Sequence, residues 1–302
     1  MLQSVRIQNY KGLRDVTLTL GPLTALVGPN GSGKSSVLAA LDPGTPWNPA
    51  TVGWRHDPSL EVKVQYLQSE GGTTRTQQGI SGKSPVFSYQ FLRLDLGQMR
   101  QANVLARARR LDAAGGTLAN AFGTLGRTQQ SDLAAQLCEL VPTFSDVDLV
   151  PLARGQHTLQ FRDRWDASVF YSPDEVSDGT MLVLAFLLIQ YQQEAPDLLA
   201  IEEPERGLHP YLVGELVAFL RRLSRGELGG KPIQVVLATQ SADLLDHLEP
   251  EEVRFLNRNP DDGSVRVDTV DTKAPGWDTA FAEYKRSLGS AWLAGSLGGV
   301  PG

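Results

Sequence analysis

Eight consecutive residues, Gly28-Pro29-Asn30-Gly31-Ser32-Gly33-Lys34-Ser35, fit the pattern G-x-x-x-x-G-K-[ST]. Phosphate binding is the chemistry that needs this spacing. Glycines let successive backbone N–H groups turn inward around an anion, and a helix starting at the end of the loop adds its partial positive charge. Lys34 is placed to reach the β- and γ-phosphates of a nucleotide and the Ser35 hydroxyl to ligate Mg²⁺. Asn30, Gly31, Ser32, Gly33, Lys34, Ser35 and Ser36 form the candidate nucleotide-contacting set, and ATP with Mg²⁺ is the expected ligand.

A second run, Asp197-Leu198-Leu199-Ala200-Ile201-Glu202-Glu203-Pro204, is an apolar strand ending in two carboxylates. Strands this apolar belong in the middle of a parallel sheet, and ligands sit at the ends of such strands. Adjacent carboxylates at a buried edge are costly without a cation or proton. Glu202 is therefore the candidate metal-binding acid, and Glu203 the candidate base that polarises an attacking water. A third segment, Val176-Ser177-Asp178-Gly179-Thr180, precedes an apolar helix. Ser177 or Asp178 serves as N-cap, and Gly179 permits close backbone approach. Taken alone it is an ordinary capped helix start.

The elements that must position these groups follow from periodicity. Val5–Tyr10 and Val16–Leu20 alternate as half-buried strands. Leu23–Val27 is a β-rich run leading into the glycine loop, and 33–41 reads as a helix. Residues 42–58, with four prolines, read as a loop. Glu61–Leu67 and Ser84–Leu94 are expected as strands flanking a Gly/Thr-rich turn. Helices are expected over Gln98–Leu111, Leu118–Leu125 and Asp132–Val141, with a strand pair near 149–152 and 158–162. From 178 onward α/β alternation returns, with helices at 178–193, 210–225 and 241–248 and strands at 198–202, 233–239 and 252–257. The expected division is 1–96, the first half of an ATPase lobe with the phosphate loop; 97–170, an inserted helical lobe; and 171–302, the second half with a short tail in which Trp277 and Trp292 dock on the core.

The chain has 302 residues and a formal net charge of −6. Indiscriminate nucleic-acid binding is disfavoured by that charge, so any DNA contact needs a local basic patch. Arg107, Arg109 and Arg110, with Arg100 a turn or two earlier, supply one on the expected first helix of the lobe. The single cysteine, Cys138, cannot form an internal disulfide. The longest apolar run, Met181–Ile189, is about half of the roughly 20 residues a membrane span requires and reads as a helix buried on all sides. A cytoplasmic protein with no membrane partner is expected.

Taken in order, these segments resemble ABC-type ATPases of the RecF and SMC class, and most closely the short AAA-family ATPases related to the OLD proteins. The resemblance rests on Val5-Arg6-Ile7-Gln8-Asn9-Tyr10-Lys11-Gly12-Leu13 followed by the phosphate loop, on Ser177–Thr180 as signature, on Ile201–Pro210 as Walker B plus D-loop, and on Ala238–Asp246 as switch. It implies an α/β P-loop NTPase fold of ABC-ATPase type, with an N-terminal β-rich subdomain and a small inserted helical lobe. It further implies a head-to-tail homodimer in the ATP state, in which Ser177 and Gly179 touch the γ-phosphate held by the other copy. The family's switch histidine falls on Gln240, which can hydrogen-bond a phosphate but carries no charge, so slow hydrolysis is expected. For the glutamine of the family's Q-loop, Gln90 and Gln98 are both candidates. The resemblance places Lys11 and Arg14 on the adenine and ribose side. His209 in the D-loop is expected to be structural. The first reading is a DNA-associated ATPase in repair or in defence against foreign DNA, with DNA as partner; the second is a nucleotide-switched regulatory subunit that controls a separately encoded nuclease or other effector. A transporter ATPase subunit is a third reading, against which the RecF/SMC-like opening argues.

Overall fold

The computed structural model describes the chain except residues 45–48, 58, 69–70, 77–78, 83–86, 276 and 298–302. Its elements are β1 (Leu2–Tyr10), β2 (Leu13–Thr19), β3 (Leu23–Val27), α1 (Lys34–Leu41), α2 (Pro49–Val52), β4 (Lys63–Gln68), β5 (Gly71–Thr76), β6 (Gly79–Gly82), β7 (Tyr89–Leu92), α3 (Leu96–Met99), β8 (Asn103–Val104), α4 (Leu118–Thr124), α5 (Arg127–Leu140), β9 (Phe144–Pro151), β10 (Gln156–Asp163), β11 (Phe170–Tyr171), α6 (Asp178–Ile189), β12 (Leu198–Glu202), α7 (Pro210–Arg225), β13 (Gln234–Thr239), α8 (Ala242–Leu245), β14 (Val253–Arg258), β15 (Val265–Thr269), α9 (Trp277–Glu283) and α10 (Leu288–Leu293).

A six-stranded sheet in the order β15-β14-β3-β13-β12-β7 carries the site. All its pairings are parallel except β14 with β15. Both faces of its central strands are covered, which is why those strands read as unbroken apolar runs. Leu199, Ile201, Val235 and Leu237 face one core, with α6, α7 and the lobe helices. Leu198, Ala200, Val236 and Ala238 face the other, with α1 and strands β1, β2 and β4. Those three strands belong to an antiparallel sheet in the order β2-β1-β4-β5-β6.

Helix α6 is buried from Gly179 to Ile189, which accounts for its apolar character all round. Helix α7 is amphipathic, burying Val213, Leu216, Val217, Leu220 and Leu223 at helical spacing. It starts on a His209 cap followed by Pro210 and stops at Gly226, whose φ of 73° is the left-handed conformation a side chain resists. Trp292 is buried against the core and Trp277 stacks on Phe281, so the tail docks as expected. Among the described residues no helix is long and apolar enough to cross a membrane.

Several sequence expectations are corrected. Gln98–Leu111 is not a helix: α3 ends at Met99, and the chain then runs irregularly through β8. The side chains of Asn120 and Thr124 on α4 hold this segment, accepting from Ala106 N at 3.1 Å and Ala108 N at 3.0 Å. Its backbone groups are thereby satisfied without helical bonds. Arg107, Arg109 and Arg110 consequently share no helix face, and Arg109 pairs with Glu194 at 3.0 Å. The Gly/Thr-rich stretch forms strands β5 and β6 rather than a turn, and residues 84–86 of the expected Ser84–Leu94 strand lie outside the described residues. The proline-rich stretch contains α2 and a single 3₁₀ turn, Trp54–His56; Pro46 and Pro58 lie outside the described residues. The helix expected over 241–248 closes after one turn, at Leu245. Besides α4 and α5, the lobe holds a small sheet in which β10 pairs with β9 on one edge and with β8 and β11 on the other.

Candidate nucleotide site

The phosphate loop connects the C-terminal end of β3 to the start of α1. Two of its glycines are sterically required. A Cβ on Gly28 would lie 2.4 Å from the Leu256 carbonyl, and one on Gly33, at φ 105°, would lie 2.7 Å from Val265. The β14–β15 hairpin thus packs directly on the loop. Arg258 closes the contact, its Nε donating to the Gly31 carbonyl at 2.8 Å and its Nη1 to the Gly263 carbonyl at 2.7 Å. Sequence reading missed Arg258, because its partner lies 227 residues away.

The Lys34 amine donates to the carbonyls of Gly28 at 2.6 Å and Pro29 at 3.0 Å, curling back over its own loop. Burial lowers its pKa, and Glu203, Glu202 and Glu205 act the other way. The Ser32 hydroxyl is buried with no hydrogen-bond partner, an arrangement that costs about 1–3 kcal/mol unless a ligand satisfies it. Asn30 and Gly31 are exposed at the loop's tip, and Ser36 lies in the first turn of α1, half-buried. An inward-facing cation, an orphaned hydroxyl and a helix N-terminus fit a phosphate group.

The acidic pair meets this loop across the sheet. Strand β12 delivers Glu202 as its last residue, and the Ser35 hydroxyl donates to Glu202 Oε1. A hydroxyl and a carboxylate oxygen in contact are a suitable donor set for Mg²⁺. Glu203 follows with φ 48°, a left-handed conformation costly for a side-chain-bearing residue and frequent at functional sites. Its N–H donates to the Ala238 carbonyl at 2.8 Å, and its Oε1 accepts from Gln240 Nε2 at 3.1 Å. The candidate base and switch residue are therefore in direct contact.

Glu205, which sequence reading did not single out, is a third acid here. Thr239 Oγ1 donates to its Oε1 at 2.5 Å, while Oε2 is buried without a partner. Burial raises its pKa. His209 caps α7, its Nδ1 accepting from Tyr211 N at 3.3 Å. Gln90 is buried and exchanges hydrogen bonds with Gln192 at 3.0 and 3.1 Å. Gln98 instead lines a cavity of about 350 Å³ in front of Glu202 and Glu203. Lys11 lines a separate cavity with Trp54, Arg55 and Arg258, and Arg14 pairs with Asp262 at 2.9 Å.

The signature residues stand apart from this cluster. Ser177 is exposed and caps α6, its Oγ accepting from Thr180 N at 3.2 Å. Gly179 is buried beneath Leu212 of α7 and the Gly207 carbonyl. Arg100 secures the segment, donating from Nε to the Pro173 carbonyl at 2.9 Å and from Nη2 to the Val176 carbonyl at 3.0 Å and Asp178 Oδ1 at 2.8 Å.

A phosphate loop facing strand-end acids on this sheet defines a P-loop NTPase fold. Residues 77–246, more than half of the chain, match the family described as "AAA domain, putative AbiEii toxin, Type IV TA system", and the protein belongs to that family. Residues 1–43 match a second description, "AAA ATPase domain". An OLD nuclease from Thermus scotoductus (strain ATCC 700910 / SA-01) is 52% identical over 42 residues, which make up 14% of this chain and 8% of that protein. The chain thus covers under a tenth of the length of that curated relative. Among solved structures, an SMC head bound to the C-winged helix domain of ScpA is similar with a TM-score of 0.60 at 13% identity, over 89% of this chain and 97% of that one. The SMC head domain from Thermotoga maritima is similar with a TM-score of 0.52 at 14% identity, over 89% and 99%.

Proposed function

We propose that the protein binds ATP with Mg²⁺ and hydrolyses it as an ATP-gated head-to-tail homodimer, in DNA repair or in defence against foreign DNA. The observation that carries this reading is the contact of Ser35 with Glu202, 167 positions apart, beside a Glu203 held by Gln240. Residues Asn30 to Ser36 cradle the phosphates, and Ser35 with Glu202 hold the metal. Mg²⁺ bound there would supply positive charge against the negative charge of phosphoryl transfer. Glu203 orients the attacking water and receives its proton, and Gln240 fixes the Glu203 carboxylate. Because Gln240 is neutral, turnover is slow. Ser177 and Gly179 complete the site of a second copy. The division at 1–96, 97–170 and 171–302 and a cytoplasmic location belong to the same reading.

A second reading is a nucleotide-switched subunit that controls a separate effector such as a nuclease. Its support is the family description, which names a toxin of a type IV system, and the short match to an OLD nuclease.

Glu203→Gln tests the first reading. It keeps the shape and the acceptor for Gln240 but removes the base. ATP binding should persist, phosphate release should fall by at least ~10²-fold, and an ATP-dependent dimer should appear on sizing chromatography. The same protein held in ATP should bind a labelled duplex in fluorescence anisotropy, with affinity falling steeply as salt rises. Replacing Arg107, Arg109 and Arg110 together with alanine should weaken that binding whatever the sequence. A dimer that ignores DNA at low salt favours the effector reading; a strictly monomeric protein in ATP rejects the head-to-tail model.

A further inference from the structure

Two arginines face the acidic pair from either side. Arg93 is the first residue beyond β7, the strand next to β12, and its Nη1 lies 3.8 Å from Glu202 Oε2. Arg206 lies four residues beyond β12, with its Nη1 3.7 Å from Glu203 Oε2. Both separations are beyond hydrogen-bonding distance, and the side chains are 64% and 76% exposed. The carboxylates attract the guanidinium groups without fixing them. Both arginines line the cavity of about 350 Å³ together with Glu202, Glu203 and Gln98. Asp95, the remaining acid of the cavity, is engaged in capping α3, its Oδ1 accepting from Gln98 N at 2.8 Å.

As exposed surface ion pairs, these contacts add little stability. That does not explain two arginines converging on consecutive acids at the end of one parallel strand, where this fold class places its ligands. Phosphoryl transfer spreads negative charge over three oxygens and needs cations that the ground state does not engage fully. Lys34 is anchored on its own loop, and Gln240 is neutral. The planar guanidinium fork matches adjacent phosphate oxygens and stays protonated throughout.

We propose that Arg93 and Arg206 form a two-armed clamp for a tetrahedral oxyanion: the γ-phosphoryl group during transfer, and the inorganic phosphate it becomes. The proposal rests on the ATPase reading above. In the step it serves, a water oxygen bonds to the γ-phosphorus and the bond from that phosphorus to the β–γ bridging oxygen breaks. The water proton passes to Glu203, and ADP and inorganic phosphate are the products. The clamp holds the phosphate in front of the carboxylates until it escapes through the open side of the cavity.

The test measures fluorescent ADP affinity in Mg²⁺ buffer, with and without orthovanadate as the phosphate mimic, on the full chain. Wild type should bind ADP at least ~10-fold more tightly with vanadate. Arg93→Ala combined with Arg206→Ala should bind ADP alone as wild type does, lose the vanadate increment and hydrolyse ATP at least ~10²-fold more slowly. Arg93→Lys with Arg206→Lys should recover part of both, because charge is restored without the fork. If the double alanine variant keeps the vanadate increment, the clamp is rejected and the ATPase reading stands. If wild type binds neither ATP nor ADP, the nucleotide reading fails and the clamp fails with it.

Discussion

The phosphate loop and the signature segment are both helix N-termini, and they are finished differently. Helix α1 starts on Gly33 with no side-chain cap. The Ser32 hydroxyl is buried without a partner, and the Lys34 amine donates to the Gly28 and Pro29 carbonyls of its own loop. Helix α6 starts on Ser177, whose hydroxyl serves its own Thr180, and Arg100 ties the neighbouring carbonyls and Asp178 down. Polar demand remains at the loop, where a buried hydroxyl is unpaired, and is met within the chain at the Ser177 cap.

Removing the charge from the loop terminus should have the largest effect. Lys34→Ala deletes two charge-assisted hydrogen bonds' worth of donor capacity, at about 1.5–3 kcal/mol each. ATP affinity measured by calorimetry should therefore drop by about two orders of magnitude or more, with the far-UV circular dichroism unchanged. Intact ATP affinity in a folded variant would mean that the loop is not where phosphate binds.

Loosening the signature terminus should do less. Arg100→Ala frees Ser177–Thr180 from α3 while leaving the loop untouched. Affinity for ATP should stay at the wild-type value. Hydrolysis should fall by about tenfold, the worth of one charge-assisted bond in the assembled state. An equal loss of binding and hydrolysis would show that the two termini are not independent.

The smallest effect is a pH dependence behind the switch. Burial raises the Glu205 carboxyl above its ordinary value, so the folded state keeps this proton to a higher pH than the unfolded state does. Stability is full below the ordinary carboxylate pKa and is lost as pH rises through the raised one. Glu205→Gln removes that ionisation and keeps an acceptor for Thr239. Its melting temperature should match wild type near pH 4 and exceed it by a few degrees at about pH 8. A gap that does not widen with pH would mean that Glu205 is charged in the fold.

How much of this was legible depended on how local each feature is. The phosphate loop lies in eight consecutive residues, and the acids end an apolar strand, so spacing and polarity pattern alone point to both. The helix expected over Gln98–Leu111 failed because apolar residues there recur at helical intervals, while Asn120 and Thr124 on another element offer the backbone different partners. The Gly/Thr-rich stretch hid two strands because glycine signals a turn when its neighbours are unknown.

The phosphate-loop pattern, the apolar parallel strand that ends in the acids and the order of the segments around them are legible in the sequence without the fold. Those are written in contiguous runs whose side-chain periodicity and backbone freedom need no distant partner. Only the tertiary structure decided that Ser35 meets Glu202, that Gln240 rather than another polar residue holds Glu203, that Arg258 locks the loop, and that Arg93 and Arg206 flank the acids. Each of these joins side chains from separate strand ends, and which ends lie side by side is set by the pairing order of the sheet and the packing of its two faces.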